Sequence, residues 1–140
     1  MKIEEQVLSI EQMMHLQELG VDTSDASLAW YMSPNTNQWK IKIKDKFAHE
    51  MLRRISPERY IPTYTTGDLI EKLPKHINGW NDNRLVIDGD EDADYWYVVY
   101  KNRYEHSETE YFDSENLLTA LYNLLCWVAE KHKELLNKND

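Results

Sequence analysis

The run Trp39-Lys40-Ile41-Lys42-Ile43-Lys44 decides how this chain is read. Apolar and charged side chains alternate strictly, with Trp39, Ile41 and Ile43 on one face and Lys40, Lys42 and Lys44 on the other. A period of two is that of a half-buried β-strand, because successive Cβ atoms point to opposite sides of the pleat. Just before it, Ser27-Leu28-Ala29-Trp30-Tyr31-Met32 is a second such run, and Ser33-Pro34-Asn35-Thr36-Asn37 between them is turn-forming. Together they predict a β-hairpin.

Towards the N-terminus, Ser9 to Gln12 reads S-x-x-Q, a capping box in which each side chain satisfies an orphan backbone N–H of the other residue. Leu8 and Met13 flank it, apolar positions follow at Met13, Leu16 and Leu19, and Gly20 suits the left-handed stop. This predicts a helix over 9–19, with residues 1–8 either extending it or forming a frayed arm. Beyond the hairpin, Phe47, Met51 and Ile55 recur every four residues beside Ala48 and Leu52. Residues 45–60 are therefore either a short amphipathic helix stopped by Ser56-Pro57 or a loop packed by the same side chains. Thr65 or Thr66 caps a helix from Asp68 to about Leu73, which Pro74 ends.

Asn78-Gly79 and Asp82-Asn83 mark turns, and Arg84–Asp88 and Tyr95–Lys101 then form a second antiparallel pair joined by Gly89–Asp94. Asp113 or Ser114 caps the last helix, whose stripe is Leu117, Leu118, Leu121, Leu124, Leu125 and Val128. Asp113 and Glu115 at its start and Lys131, His132 and Lys133 at its end suit the helix dipole. Strand pairs separated by helices define an α+β fold: antiparallel hairpins of about four strands against two or three helices, the last one long. Residues 1–140 are read as one domain.

At 140 residues and 16.7 kDa the chain should bury roughly two-thirds of its unfolded surface, enough for a core without metal or disulfide. No apolar run approaches the ~18–20 residues that span a bilayer, and the first ten residues lack the apolar block of a secretory signal. The expected location is the cytoplasm, with no membrane partner. A single cysteine makes neither an internal disulfide nor a Cys-rich zinc site. The net charge of −9 opposes general phosphate binding.

Few constellations point to chemistry. Asp88, Asp90 and Asp92 open like a calcium loop, but Ala93 stands where Gly is needed and Val99 where a bidentate Glu is needed. His15, His49, His76, His106 and His132 are scattered, and His106-Ser107-Glu108 has no P-C-x-x-C companion. Cys126 sits between Leu125 and Trp127 near the apolar stripe, a place for a small filler rather than an activated thiol. No nucleophile elbow or phosphate-binding glycine loop occurs. No catalytic residue, metal or cofactor is expected, and an enzyme is disfavoured.

Charge is distributed unevenly. Residues 40–60 hold seven Lys or Arg against three acids, whereas residues 81–115 hold eleven acids against three basic residues. The basic row Lys40, Lys42, Lys44, Lys46, Arg53 and Arg54 would serve a nucleic acid, the chain's own acidic region, or plain solvation. The acidic stretch would serve a protein partner, including a DNA-binding protein that takes it for phosphate. Tyr95, Tyr97 and Val99 face one way along their strand and Trp96, Val98 and Tyr100 the other, so both sides should be covered, by another layer or by a second copy. Five Trp and nine Tyr suit either an interface or an aromatic core.

Leu16-x-x-Leu19-Gly20-x-Asp22-Thr23-x-Asp25-Ala26-Ser27-Leu28-Ala29-Trp30 resembles the opening of small uncharacterised proteins from phages and integrated elements of Bacteroides-type gut bacteria. Tyr60-Ile61-Pro62-Thr63-Tyr64-Thr65-x-x-Asp68-Leu69-Ile70-x-x-Leu73-Pro74 is similar to their middle segment. Tyr95–Tyr100 and Leu121-x-x-Leu124-Leu125-Cys126-Trp127 are similar to their closing strand and helix. The resemblance implies a cytoplasmic mobile-element protein and carries over no activity. The leading expectation is a protein-interaction module whose surface combines Asp88, Asp90, Glu91, Asp92 and Asp94 with Trp80, Trp96 and Tyr100. The alternatives are a nucleic-acid module using the basic row and an acidic DNA mimic. Homodimerisation through the aromatic strand is a further arrangement open to it.

Overall fold

The computed structural model describes residues 2–45, 47, 50, 51, 54, 56–77, 83–89, 94–102 and 111–136. Among these, seven strands form two antiparallel sheets, accompanied by three α-helices with described bounds. The α+β class is as the sequence predicts, with three more strands than expected.

The hairpin forms as read. Strand β1 (Leu28–Met32) pairs with β2 (Trp39–Ile43), Leu28 opposite Ile43 and Met32 opposite Trp39. Asn37, which tolerates left-handed backbone, takes φ 55 in the turn and donates to the Ser33 carbonyl at 2.8 Å. Strand β3 (Tyr60–Thr63) lies on the other side of β1, giving the order β2-β1-β3. Pro62 hides this strand in the sequence, and its edge position is what tolerates a residue with no N–H.

The second sheet runs β4 (His76–Ile77), β5 (Asn83–Gly89), β6 (Trp96–Asn102) and β7 (Phe112–Ser114). Strands β5 and β6 are the expected pair, and β4 and β7 flank it. The pairing of Trp96 with Ser114 and of Tyr97 with Asp113 corrects the expected start of the last helix, because both proposed caps are extended in β7. The cap is Asn116, whose side-chain oxygen accepts from Leu118 N at 2.9 Å.

Helix α1 (Ile10–Glu18) opens on the predicted capping box, with Ser9 N to Gln12 Oε1 at 2.9 Å and Gln12 N to Ser9 Oγ at 3.1 Å. It closes on Gly20 at φ +87, with Gly20 N donating to Gln17 O and Val21 N to Leu16 O, a Schellman stop. Helix α2 (Thr66–Lys72) has Thr65 as its cap and Asp68 as the reciprocal partner. Helix α3 (Leu117–Lys131) carries the long stripe. Of the two arrangements open for residues 45–60, Phe47, Glu50, Met51 and Arg54 take the helical one, and residues 46, 48, 49, 52, 53 and 55 lie outside the described residues.

Residues 2–8 are no frayed arm. Ile3–Glu5 is a 3-10 turn, Val7 bridges to Thr65, and Leu8 N donates to Tyr64 O at 3.0 Å. The fully buried Leu8 returns its carbonyl to two donors, Trp30 Nε1 at 2.9 Å and Thr63 Oγ1 at 2.7 Å. The segment thus ties the first sheet to the core. That core packs Leu121, Leu124, Leu125 and Val128 of α3 with Val98 and Tyr100 of β6, Leu69 and Leu73 of α2, and Met13 and Leu16 of α1. Val99, on the opposite face of β6, is also fully buried, so this strand is covered on both sides along Val98–Tyr100.

Candidate interaction surface

Strand β2 stands at the edge of its sheet, and its two faces differ as the alternation predicts. Lys40 and Lys42 are exposed beside Tyr31, and the Lys42 ammonium lies 4.2 Å from the centroid of the Tyr31 ring. On the other face Trp39 and Ile41 are half-buried, but Ile43 is 85% exposed. The chain then turns at Asp45, whose carboxylate accepts from Phe47 N at 2.9 Å. Such an Asx turn sets the direction of the residues that follow. Phe47 is 73% exposed and Met51 47% exposed. Three large apolar side chains within nine residues of sequence are therefore exposed, with Ile43 on the face of β2 opposite Lys40 and Lys42.

Tyr60 lies on β3, its Cα opposite Tyr31 of β1. Burial, and then the charge of Asp45, raises its phenol above the ordinary value. Of that row, Lys40, Lys42 and Arg54 are exposed and Lys44 is half-buried, while Lys46 and Arg53 lie outside the described residues.

The surface expected from the acidic stretch is brought together only in part. Asp88 and Asp94 are exposed, and Asp88 Oδ1 accepts from Gly89 N at 2.8 Å. Trp96 is 42% exposed. Tyr100 is a correction: it is fully buried and donates its hydroxyl to Pro74 O at 2.8 Å, so it belongs to the core and to no surface. Packing by α3 accounts for this, since Tyr100 and Trp127 rings lie 6.4 Å apart. Trp80, Asp90, Glu91 and Asp92 lie outside the described residues.

Sequence reading missed a polar knot that joins two of the quoted motifs. The Tyr64 hydroxyl donates to Asp25 Oδ1 at 2.6 Å, and Lys72 Nζ reaches Asp25 Oδ2 and Asp22 O, each at 2.9 Å. Asp68 Oδ2 accepts from Ser27 N, Ser27 Oγ and Thr65 N. Burial first, then the hydrogen bond to Asp25, drives the Tyr64 phenol far above its ordinary value. Each of these groups already serves a neighbour, so the knot fastens α2 to the loop before β1 and offers no idle acid or base. The Asp-x-x-Asp-x-Ser spacing at Asp22, Asp25 and Ser27 and the Tyr-Thr-x-x-Asp spacing at Tyr64, Thr65 and Asp68 were its only signal.

Two cavities adjoin this frame. One of about 590 Å³ is lined by Ile3, Val7, Leu28, Trp96 and Leu117, with Glu5 and Glu115 as its ionisable lining residues. The other, about 330 Å³, lies against Gln17, Asp22, Thr23, Tyr60 and Pro62. Burial raises the Cys126 thiol despite the opposing hydrogen bond from Tyr122, and Glu130 adds to the rise, the reverse of what a nucleophile needs. Among the described residues no three His, Cys, Asp or Glu converge as a metal site, and no helix is long and apolar enough to cross a membrane.

Comparison with known proteins leaves the geometry to stand alone: no family model, curated protein or solved structure matches the chain.

Proposed function

We propose that this chain is a non-catalytic module that binds another protein, and that its docking face is the outer side of β2 with the apolar patch beyond it. The observation that carries this reading is the shared exposure of Ile43, Phe47 and Met51. Scattered single apolar residues on a surface need no explanation, but three large exposed ones recurring every fourth residue at the end of a strand suit a contact site. Burying each such side chain is worth about 1.5–3 kcal/mol, so the three together would anchor a partner. The basic row supports a nucleic-acid role less well, because Lys42 is drawn onto Tyr31 and the chain carries a net charge of −9. The resemblance in the Trp30 and Tyr64 motifs is the ground for placing this activity in the cytoplasm of a cell that hosts a phage or integrated element.

The test is capture from host lysate with the natural chain and with the Phe47→Asp, Met51→Asp double variant. Exposed substitutions of this kind change stability by about 0.5 kcal/mol or less. We expect a protein retained by the natural chain, in the presence of nuclease, to be lost from the variant while the melting temperature holds. Equal retention by both would end this reading of the patch.

A further inference from the structure

Resting on that reading, we infer that β2 accepts an extended acidic segment of a partner protein as the next strand of its sheet. Hydrogen-bond polarity comes first. Ser33 N donates to Gln38 O at 3.1 Å and Lys44 N to Ser27 O at 3.1 Å, which marks the hydrogen-bonded pairs at the two ends of the hairpin. Antiparallel pairs alternate, so Lys40 and Lys42 turn their backbone groups towards β1, while Trp39, Ile41 and Ile43 turn theirs outward. Among the described residues no strand pairs with that outer edge.

The two edges of this sheet are treated differently. By the same alternation Pro62 of β3 lies where an N–H would point outward, and it has none. The chain beyond it is closed by Leu8 N on Tyr64 O and by the Val7–Thr65 bridge. The β3 edge is therefore blunted, and the β2 edge keeps a donor and an acceptor at every second residue.

Charge selects the occupant. An added strand lies about 4.8 Å away, with its side chains in line with those of β2. A second copy paired antiparallel and centred on Ile41 would set Lys40 against Lys42 of the other copy, a like-charge pair that destabilises. A segment alternating acidic and β-branched residues sets its carboxylates beside Lys40 and Lys42 and its apolar side chains beside Ile41 and Ile43. Strand addition of this kind draws affinity from the backbone and specificity from the alternate side chains.

The experiment titrates the isotope-labelled full chain with a capped heptapeptide alternating Glu and Val, and in parallel with one alternating Lys and Val. At nine-tenths saturation by the acidic peptide, exchange of the Trp39, Ile41 and Ile43 amides should slow about tenfold, following the bound fraction. The effect should weaken as salt is raised, and the Lys peptide should give none. Ile43→Pro, which removes one outward N–H, should weaken the acidic peptide about fivefold, whereas Ile43→Thr, which keeps it, should not. Unprotected amides at these three positions, or equal protection by the Lys peptide, would overturn the inference. Shifts confined to Phe47 and Met51 would also overturn strand addition while leaving the docking face in place. That face stands or falls separately, on the capture experiment with the double variant.

Discussion

Tyr64 shows how one side chain can hold a tertiary junction. It is 1% exposed, its hydroxyl bridges to Asp25 and Asp22, and Lys72 closes the same loop from α2. Because its phenol is raised in the folded state, its contribution is complete below 10.0, the ordinary value, and declines above it, where only the unfolded chain ionises. Tyr100 is raised by burial in the same way. Stability should thus fall from about pH 10 upward, by up to about 1.4 kcal/mol per pH unit for each such tyrosine. Tyr64→Phe should cost about 1–3 kcal/mol at neutral pH and flatten that alkaline slope. Urea unfolding at several alkaline pH values checks both, and an unchanged slope in the variant would remove Tyr64 from the account. The residues of this knot were visible as motifs, but their pairing was not: Ser27 and Asp68 are 41 positions apart. Periodicity reports which face a residue occupies, and a polar side chain can meet many partners at that range.

At the scale of elements, what was legible is what is local. The capping box at Ser9, the Gly20 stop and the β1–β2 hairpin each depend on residues within a few positions, and each forms; of the two caps offered for α2, Thr65 is the one used, with Asp68 completing a box that was not foreseen. The short strands β3, β4 and β7 were not legible, because two to four residues are too few to show a period and their existence depends on a neighbour to pair with. The error over the α3 cap has the same source. Asp113 and Ser114 are good caps by chemistry, yet pairing with β6 claims their backbone, and Asn116 is the next residue able to serve. Asn116 is itself held by Ser114, whose Oγ accepts its N–H at 3.1 Å. Asn116→Ala should therefore lower stability by about 1 kcal/mol, while Asp113→Ala should change it by less than half of that. Thermal or urea denaturation of the two variants distinguishes them, and equal losses would contradict the assigned cap.

For the molecule as a whole, the question is whether the β2 edge, unpaired among the described residues, can join another copy of itself. Along Val98–Tyr100 the aromatic strand is covered on both faces within a single chain, whereas Tyr95 and Trp96 at its start are 43% and 42% exposed. The other candidate contact is β2, and two forces oppose it there. The net charge of −9 repels copies at long range, but at physiological salt such repulsion is screened beyond about 8 Å. Lys40 and Lys42 act at the roughly 5 Å separation of directly opposed side chains, inside that screening length. The local term should therefore decide the outcome. Replacing Lys40 and Lys42 with Thr keeps strand propensity, removes the opposed pairs and adds two units to the overall negative charge. If net charge governed, this variant would be the more firmly monomeric of the two. If the edge governs, the variant should associate through β2 as its concentration rises, and more readily than the natural chain. Sedimentation velocity across a concentration series reads the difference directly. Adding Ile43→Pro to the double variant should restore the monomer, since it removes one of the outward N–H groups on which the pairing depends.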